Sequence, residues 1–232
     1  MAEDGTPQEI ARLLGKCLVF RALDEPARAE LATRIRRQSY KAAEPIFHVG
    51  APGHSMMVIL QGTVRVSLPS PAGRTIILAD LGIGDVLGEV TLLDGRGRSA
   101  DATAVTNCSL AVLDRRDVMP FLEKRPDVCL TLLELMCARL RRSDERMAEI
   151  AFFDLPSRLA KVILEKIKES GAARGKPRLS LSQSELAAMI NGTRENVNRC
   201  LRDWQRRGFV EMQDRWIVLA REDALRELVD HP

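Results

Sequence analysis

The sequence predicts an α+β chain: a small antiparallel, jelly-roll-like β-roll, then one long helix, then short helices with a hairpin. Three observations predict it. Between Ile46 and Leu113, short β-rich runs alternate with glycines. From Pro126 to Phe152, apolar residues recur at alternating spacings of four and three. Beyond Pro156, two short helical stretches meet at Asn191-Gly192 and precede two further β-rich runs.

Composition bounds the class. The 232 residues are 45% hydrophobic and 29% charged, which suits a globular chain with a core. The start, Met1-Ala2-Glu3-Asp4-Gly5, is acidic and lacks the pattern of a secretory leader. No run of about 18 apolar residues exists, so a cytoplasmic protein without membrane contact is expected. The five cysteines (17, 108, 129, 137 and 200) are odd in number and include no CxxC pair. That argues against a disulfide framework or a zinc site, and the thiols read as reduced structural residues. Residues 155–232 carry 15 Lys+Arg against 11 Asp+Glu, while 1–154 carry 20 against 21. The basic excess concentrates between Arg194 and Arg207, where five Arg face only Glu195 and Asp203.

In chain order, Asp24-Glu25-Pro26 starts a helix, with acidic residues at the positive dipole end and Pro in the first turn. That helix is expected to run through Ala27 to Arg37. The β-rich runs follow: Met57–Leu60, Thr63–Val66 and Thr75–Leu78, with glycines between them. After Asp117 the pattern becomes helical. In the helix from Pro126 to Phe152, the four–three stripe is Cys129, Leu133, Met136, Leu140, Ser143, Met147 and Ile150. A stripe this long predicts a parallel dimer helix, with Leu133, Met136, Leu140, Met147 and Ile150 at the interface. Ser143 is its one polar member, the kind of position that sets register or touches something. Pro156 disfavours helix at Leu155, so a boundary is expected there and a helix from Leu159 to Ile167. The divisions are thus 1–125, 126–154 and 155–232.

Within the last part, Ser182-Gln183-Ser184-Glu185 reads as a capping box opening a helix that runs to Ile190. Asn191 and Gly192 both tolerate positive φ and make the turn. Thr193 caps a second helix, about Arg194 to Arg207. Two short helices joined this way have helix-turn-helix geometry. On the second helix Val197, Cys200, Leu201 and Trp204 share one face; Glu195, Asn198, Arg199, Arg202 and Arg206 share the other, with Arg194 at its border. Arg, Glu and Asn are the side chains that read major-groove base edges, while Arg202, Arg206 and Arg207 can instead neutralise phosphates. Phe209–Glu211 and Trp216–Val218 read as the hairpin of a wing, turning near Gln213-Asp214. The candidate set for double-stranded DNA is Ser184, Thr193, Arg194, Glu195, Asn198, Arg199 and Arg202.

The segment Gly88-Glu89-Val90 … Arg98-Ser99-Ala100 lies between strand-like runs. A glycine before a short helical turn presents free N–H groups to an anion, and Arg98 adds a donor fork suited to phosphate. Glu89 can accept from a sugar hydroxyl. By residue type alone this signal is weak.

From about Leu18 to Leu219 the chain resembles the cyclic-AMP receptor protein branch of the CRP/FNR regulators. The resemblance is carried by the Gly-punctuated roll, Gly88-Glu89 … Arg98-Ser99-Ala100, the long helix ending Ala151-Phe152-Phe153-Asp154, and Arg194-Glu195 … Arg199. It implies a cyclic-nucleotide-binding β-roll, a dimerising helix, a winged helix-turn-helix, and a homodimeric transcription regulator. It implies cAMP or cGMP as the allosteric ligand, with Gly88, Glu89, Arg98 and Ser99 on ribose and phosphate. It also implies Arg194, Glu195 and Arg199 on base edges of a TGTGA-like half-site. The ligand set is then Gly88, Glu89, Val90, Arg98, Ser99, Ser143 and Asp144. Where cAMP-binding members place Thr-Ser on the long helix, this chain has Ser143-Asp144. The Asp144 carboxylate accepts hydrogen bonds only. Adenine's exocyclic amine can satisfy it, and so can guanine N1–H and N2–H. Asn191 stands where the family usually has Gly.

The family's iron–sulfur members carry an N-terminal cysteine cluster, against Cys17 alone here. Its haem members need axial ligands, against His48, His54 and His231. No metal, haem or iron–sulfur cluster is therefore expected. RNA polymerase is an expected partner, although the basic loop Arg174-Gly175-Lys176 reads first as solvated. The expected mechanism is a population shift in which ligand joins the roll to the long helix, Asp144 coming from the other subunit, and biases the Phe153–Pro156 hinge. Competing readings are a relative sensing another effector or none, an enzyme, and a non-DNA adaptor. No Ser/His/Asp set, HExxH, Walker loop or dinucleotide fingerprint supports an enzyme. The winged helix opposes the adaptor.

Overall fold

A computed structural model describes residues 6–17, 19–21, 23–70, 73–169, 177–213 and 216–230. By contacts the chain forms two compact units, residues 1–69 with 77–140, and residues 70–76 with 141–232.

The first unit opens with α1 (Pro7–Leu14), whose N-terminus is closed by reciprocal hydrogen bonds between Thr6 and Glu9. In α2 (Glu25–Ala32), Asp24 accepts from the Ala27 N–H at 3.1 Å. This helix ends five residues before the expected Arg37. Arg36 instead begins β1 (Arg36–Tyr40). The segment Arg-Arg-Gln-Ser-Tyr carries no apolar run, and its strand state comes from tertiary pairing along β8 rather than from local propensity.

The roll continues with β2 (Pro45–Phe47), β3 (Ser55–Gln61), β4 (Val64–Pro69), β5 (Thr75–Leu81) and β6 (Val86–Leu87). A six-residue helix, α3 (Glu89–Asp94), interrupts it before β7 (Asp101–Ala104) and β8 (Cys108–Asp114). Two four-stranded sheets result, ordered β1-β8-β3-β6 and β2-β7-β4-β5. The near-continuous apolar run of β3 is explained by its two buried faces. Met57 and Ile59 pack with Leu110, Val64, Ala102 and Ala104 between the sheets. Met56, Val58 and Leu60 point the other way, onto Leu14, Phe20, Leu31, Val128 and Leu132.

Two helices follow, α4 (Arg115–Glu123) and α5 (Pro126–Phe152), the latter with the expected bounds. Val128 and Leu132 of α5 are buried in the first unit's core. The predicted stripe divides. Cys129 packs against that same core, while Leu133, Leu140, Met147 and Ile150 are 47–68% exposed. Met136 is half-buried and Ser143 exposed. Among the described residues no helix is long and apolar enough to cross a membrane.

The second unit contains α6 (Leu155–Glu169), which begins four residues before the expected Leu159. Pro156 sits in the first turn, where a missing N–H costs nothing, and the Asp154 carboxylate accepts from the Ser157 N–H at 2.8 Å. Next come β9 (Arg178–Leu179), α7 (Gln183–Met189), α8 (Arg194–Arg206), β10 (Val210–Gln213), β11 (Trp216–Leu219) and α9 (Glu222–Asp230). β10, β11 and β9 form a three-stranded sheet in that order. A hairpin forms where expected, but its first strand begins at Val210 rather than Phe209 and includes Gln213, which pairs with Trp216 instead of turning; Asp214 and the loop Arg174-Gly175-Lys176 lie outside the described residues. Leu159, Ile163, Leu186, Val197, Leu201, Trp204, Ile217 and Leu225 form this unit's core.

Candidate functional site

The segment between β6 and β7 builds a cradle in the first unit. Arg98 is only 5% exposed. Its Nη1 donates to the Ser55 carbonyl at 2.7 Å and to the Gly88 carbonyl at 3.3 Å, and its Nη2 donates to Ser55 Oγ at 3.1 Å. The Phe47 ring lies 4.4 Å from its guanidinium carbon. Burial lowers the Arg98 pKa from its ordinary value, while the negative charge of Glu89 opposes that shift.

Gly88 makes this packing possible. It caps α3 at φ +77°, and a Cβ there would meet Arg98 Nη1 at 2.3 Å and the Ser55 carbonyl at 2.9 Å. Only glycine fits both the backbone and the space.

Glu89 is 1% exposed. Its Oε1 accepts from Arg139 Nη1, whose Nη2 also donates to the Val86 carbonyl at 2.5 Å. Its Oε2 is buried with no hydrogen-bond partner. A carboxylate oxygen left unpaired in an interior is costly, and a ligand hydroxyl is the chemistry that would satisfy it. So the fold gathers Gly88, Glu89 and Arg98, leaves Val90 half-buried in the first turn of α3, and sets Ser99 beside them exposed. Ser143 and Asp144 are exposed on α5.

The sequence reading missed Arg139, Ser55 and Gly53. Arg139 left one usable trace. It precedes Ser143 by four residues, which places both on one helix face. Ser55 and Gly53 left none, because their role depends on Arg98 arriving from 43 and 45 residues further along. His48 is exposed with its Nδ1 3.6 Å from Asp101, and His54 is exposed.

In the second unit, Ser182 and Glu185 close the capping box of α7, with Ser182 Oγ accepting from the Glu185 N–H at 3.1 Å. Ser184 is exposed in the first turn of α7. Asn191 takes the left-handed turn at φ +51°. Thr193 Oγ1 then accepts from the Asn196 N–H at 3.2 Å and opens α8. Val197, Leu201 and Trp204 are buried as expected, with Cys200 half-buried. Glu195, Asn198, Arg199, Arg202, Gln205 and Arg206 line one open surface on the other side, and Arg194 is exposed.

A β-roll with a buried arginine and carboxylate beside a glycine turn, on one chain with a capped helix-turn-helix, is the build of a DNA-binding regulator. The comparisons agree. The Cyclic nucleotide-binding domain profile matches residues 37–125, and the Crp-like helix-turn-helix domain profile matches residues 157–228. The Cyclic AMP receptor protein of Thermus thermophilus is 32% identical over 203 residues, 87% of this chain and 92% of that protein. The CRP-like cAMP-activated global transcriptional regulator of Mycobacterium tuberculosis is 27% identical over 216 residues, 92% of this chain and 96% of that protein. The crystal structure of a CRP/FNR transcriptional regulator from Thermus thermophilus superposes with a TM-score of 0.71 at 26% identity, covering 84% of this chain and 98% of that one. The chain belongs to the CRP/FNR family of transcription regulators.

Proposed function

We propose that this regulator acts as a homodimer that binds palindromic TGTGA-like DNA under the control of cAMP or cGMP. The observation that carries the ligand is the buried pair in the roll. Arg98 retains unpaired donors beside a glycine turn, and Glu89 retains an unpaired oxygen. One suits a phosphate and the other a sugar hydroxyl. The relatives from Thermus thermophilus and Mycobacterium tuberculosis, whose names state cAMP, support the same ligand class. The open Arg-Glu-Asn-Arg face of α8 supports base-edge reading, with Ser184 and Thr193 toward the backbone. The exposed Leu133, Leu140, Met147 and Ile150 support a second copy along α5. On this reading residues 1–125 bind effector, 126–154 dimerise and hinge, and 155–232 read DNA.

Ser143-Asp144 is the point of departure from the cAMP-binding pattern, and it favours one second reading: a different effector, or DNA binding without any. A single titration separates the two. Fluorescence anisotropy of a labelled TGTGA-palindrome duplex is followed at fixed salt with no ligand, with cAMP and with cGMP. Tightening by one nucleotide, lost in Arg98→Ala, is expected. Binding indifferent to both nucleotides would leave DNA recognition standing and assign the cradle to another effector. Equal responses to cAMP and cGMP would mean that the Asp144 carboxylate, which either base can satisfy, does not choose between them.

A further inference from the structure

The Arg98 guanidinium has five N–H donors fixed in one plane. Nη1 spends both of its hydrogens, on the Ser55 and Gly88 carbonyls, and Nη2 spends one, on Ser55 Oγ. Two of these three bonds land on a single residue, so Ser55 closes the end of the fork. What remains is the Nε–H and the second Nη2–H. They lie on the same edge, and among the described residues neither has an acceptor. Two parallel N–H groups on one guanidinium edge match two oxygens of a phosphoryl group.

We propose that Ser55 and Gly53 are positioning residues that hold Arg98 so that its Nε–Nη2 edge grips an anionic phosphoryl group side-on. This rests on the reading of the roll as a cyclic-nucleotide site, and adds how the arginine is set before ligand arrives.

The rest of the residue is fixed to the same end. The Arg98 N–H donates to the Ala51 carbonyl at 2.9 Å, and its carbonyl accepts from the Gly50 N–H at 2.8 Å. Phe47 covers one face of the plane. Gly53 supplies clearance at the working edge. A Cβ there would stand 2.5 Å from Nε, 2.8 Å from Cζ and 3.0 Å from Cδ. A flexible surface arginine would swing aside from such a methyl, but Arg98 is buried and bonded on the opposite edge. A methyl on residue 53 therefore displaces the edge that meets the ligand. Removing the Ser55 hydroxyl takes away the acceptor that holds Nη2 and frees that group to rotate.

The test has a ligand-free arm and a binding arm. In the ligand-free protein, 15N side-chain spectra of arginine are recorded, with the Arg98 signals identified by their loss in Arg98→Lys. Wild type is expected to show distinct, slowly rotating Nη groups, Ser55→Ala to average the two Nη2 hydrogens while Nη1 stays held by its two backbone carbonyls, and Ser55→Thr to keep the Nη2 hydrogens distinct. In calorimetric titrations with cAMP and cGMP, Ser55→Ala is expected to weaken binding about 5- to 12-fold, the upper range for one intramolecular hydrogen bond. Ser55→Thr should recover it to within about 2-fold on the same scale. Gly53→Ala should weaken binding more than Ser55→Ala, with melting curves establishing that each variant is folded. Averaged Nη signals in wild type, or wild-type affinity in Ser55→Ala, would overturn the proposal. If wild type binds neither nucleotide, the cyclic-nucleotide reading fails, and inorganic phosphate then decides the arginine's role alone. A shift of the Arg98 Nε–H on adding phosphate, lost in Ser55→Ala, supports the proposal; no shift overturns it.

Discussion

The cradle in the roll and the outer face of α8 use the same side chains in opposite states. Arg98 and Glu89 are 5% and 1% exposed, and each is bonded to groups far off in sequence. Arg194, Glu195, Arg199 and Arg202 are exposed, and the bonds made by their neighbourhood are local, such as Arg199 to Asn196 at 2.9 Å. A buried charge survives only where the fold supplies partners, so the cradle's geometry is part of the first unit's packing. An exposed charge needs no such support and adapts to what it meets. Binding and stability should therefore move together in the roll and separately on the helix.

The largest effect is expected at Gly88. In Gly88→Ala the new methyl falls on Arg98 Nη1 and the Ser55 carbonyl, and an L-residue must also hold φ +77°. Losing two charge-assisted bonds to a ligand corresponds to about two orders of magnitude or more in nucleotide affinity. The strained backbone should also lower the Tm by about 3–8 °C. Calorimetry and a melting curve on the same sample check both. Next in size is Arg199→Ala. Loss of one bidentate base contact is worth about 1–3 kcal/mol of DNA affinity. Because the residue is exposed, stability should stay within about 0.5 kcal/mol of wild type. Anisotropy on duplexes altered at single positions should show discrimination relaxed at one base pair. A Tm drop in Arg199→Ala equal to that of Gly88→Ala would dissolve the contrast.

The same contrast explains what could be read from the sequence. The α8 face was legible because caps, turn and periodicity are all local: Ser182 with Glu185, Asn191, Thr193, and the Val197–Leu201–Trp204 stripe. The bounds of α5 were legible for the same reason. The roll was legible as a texture of short strands, and the Gly88–Arg98 segment only through resemblance. What escaped was long-range. β1 is a strand because β8 lies beside it, not because Arg-Arg-Gln-Ser-Tyr prefers to be one. Ser55 and Gly53 matter because Arg98 folds back onto them, and Arg139 because α5 brings it to Glu89. The start of α6 at Leu155 turned on a capping bond from Asp154, which offset the preference against helix before proline.

The smallest expected effect separates two arginines on the exposed face. Among the described residues Arg202 has no ion-pair partner, whereas Arg206 Nη2 lies 2.9 Å from Asp203. Each phosphate contact on duplex DNA adds about 0.9 to the slope of log affinity against log salt. Arg202→Ala should reduce that slope by about that amount. Arg206→Ala should reduce it by less, because the Arg206 charge is already partly offset by Asp203, which Arg207 also approaches at 3.7 Å. The same substitution should weaken binding at low salt roughly equally on specific and unrelated duplexes, since phosphate contacts carry no sequence. Salt titrations of both variants on both duplexes measure it. Equal slopes for the two variants would mean that the Asp203 pair opens on DNA, and that the helix surface rearranges its charges on binding where the roll does not.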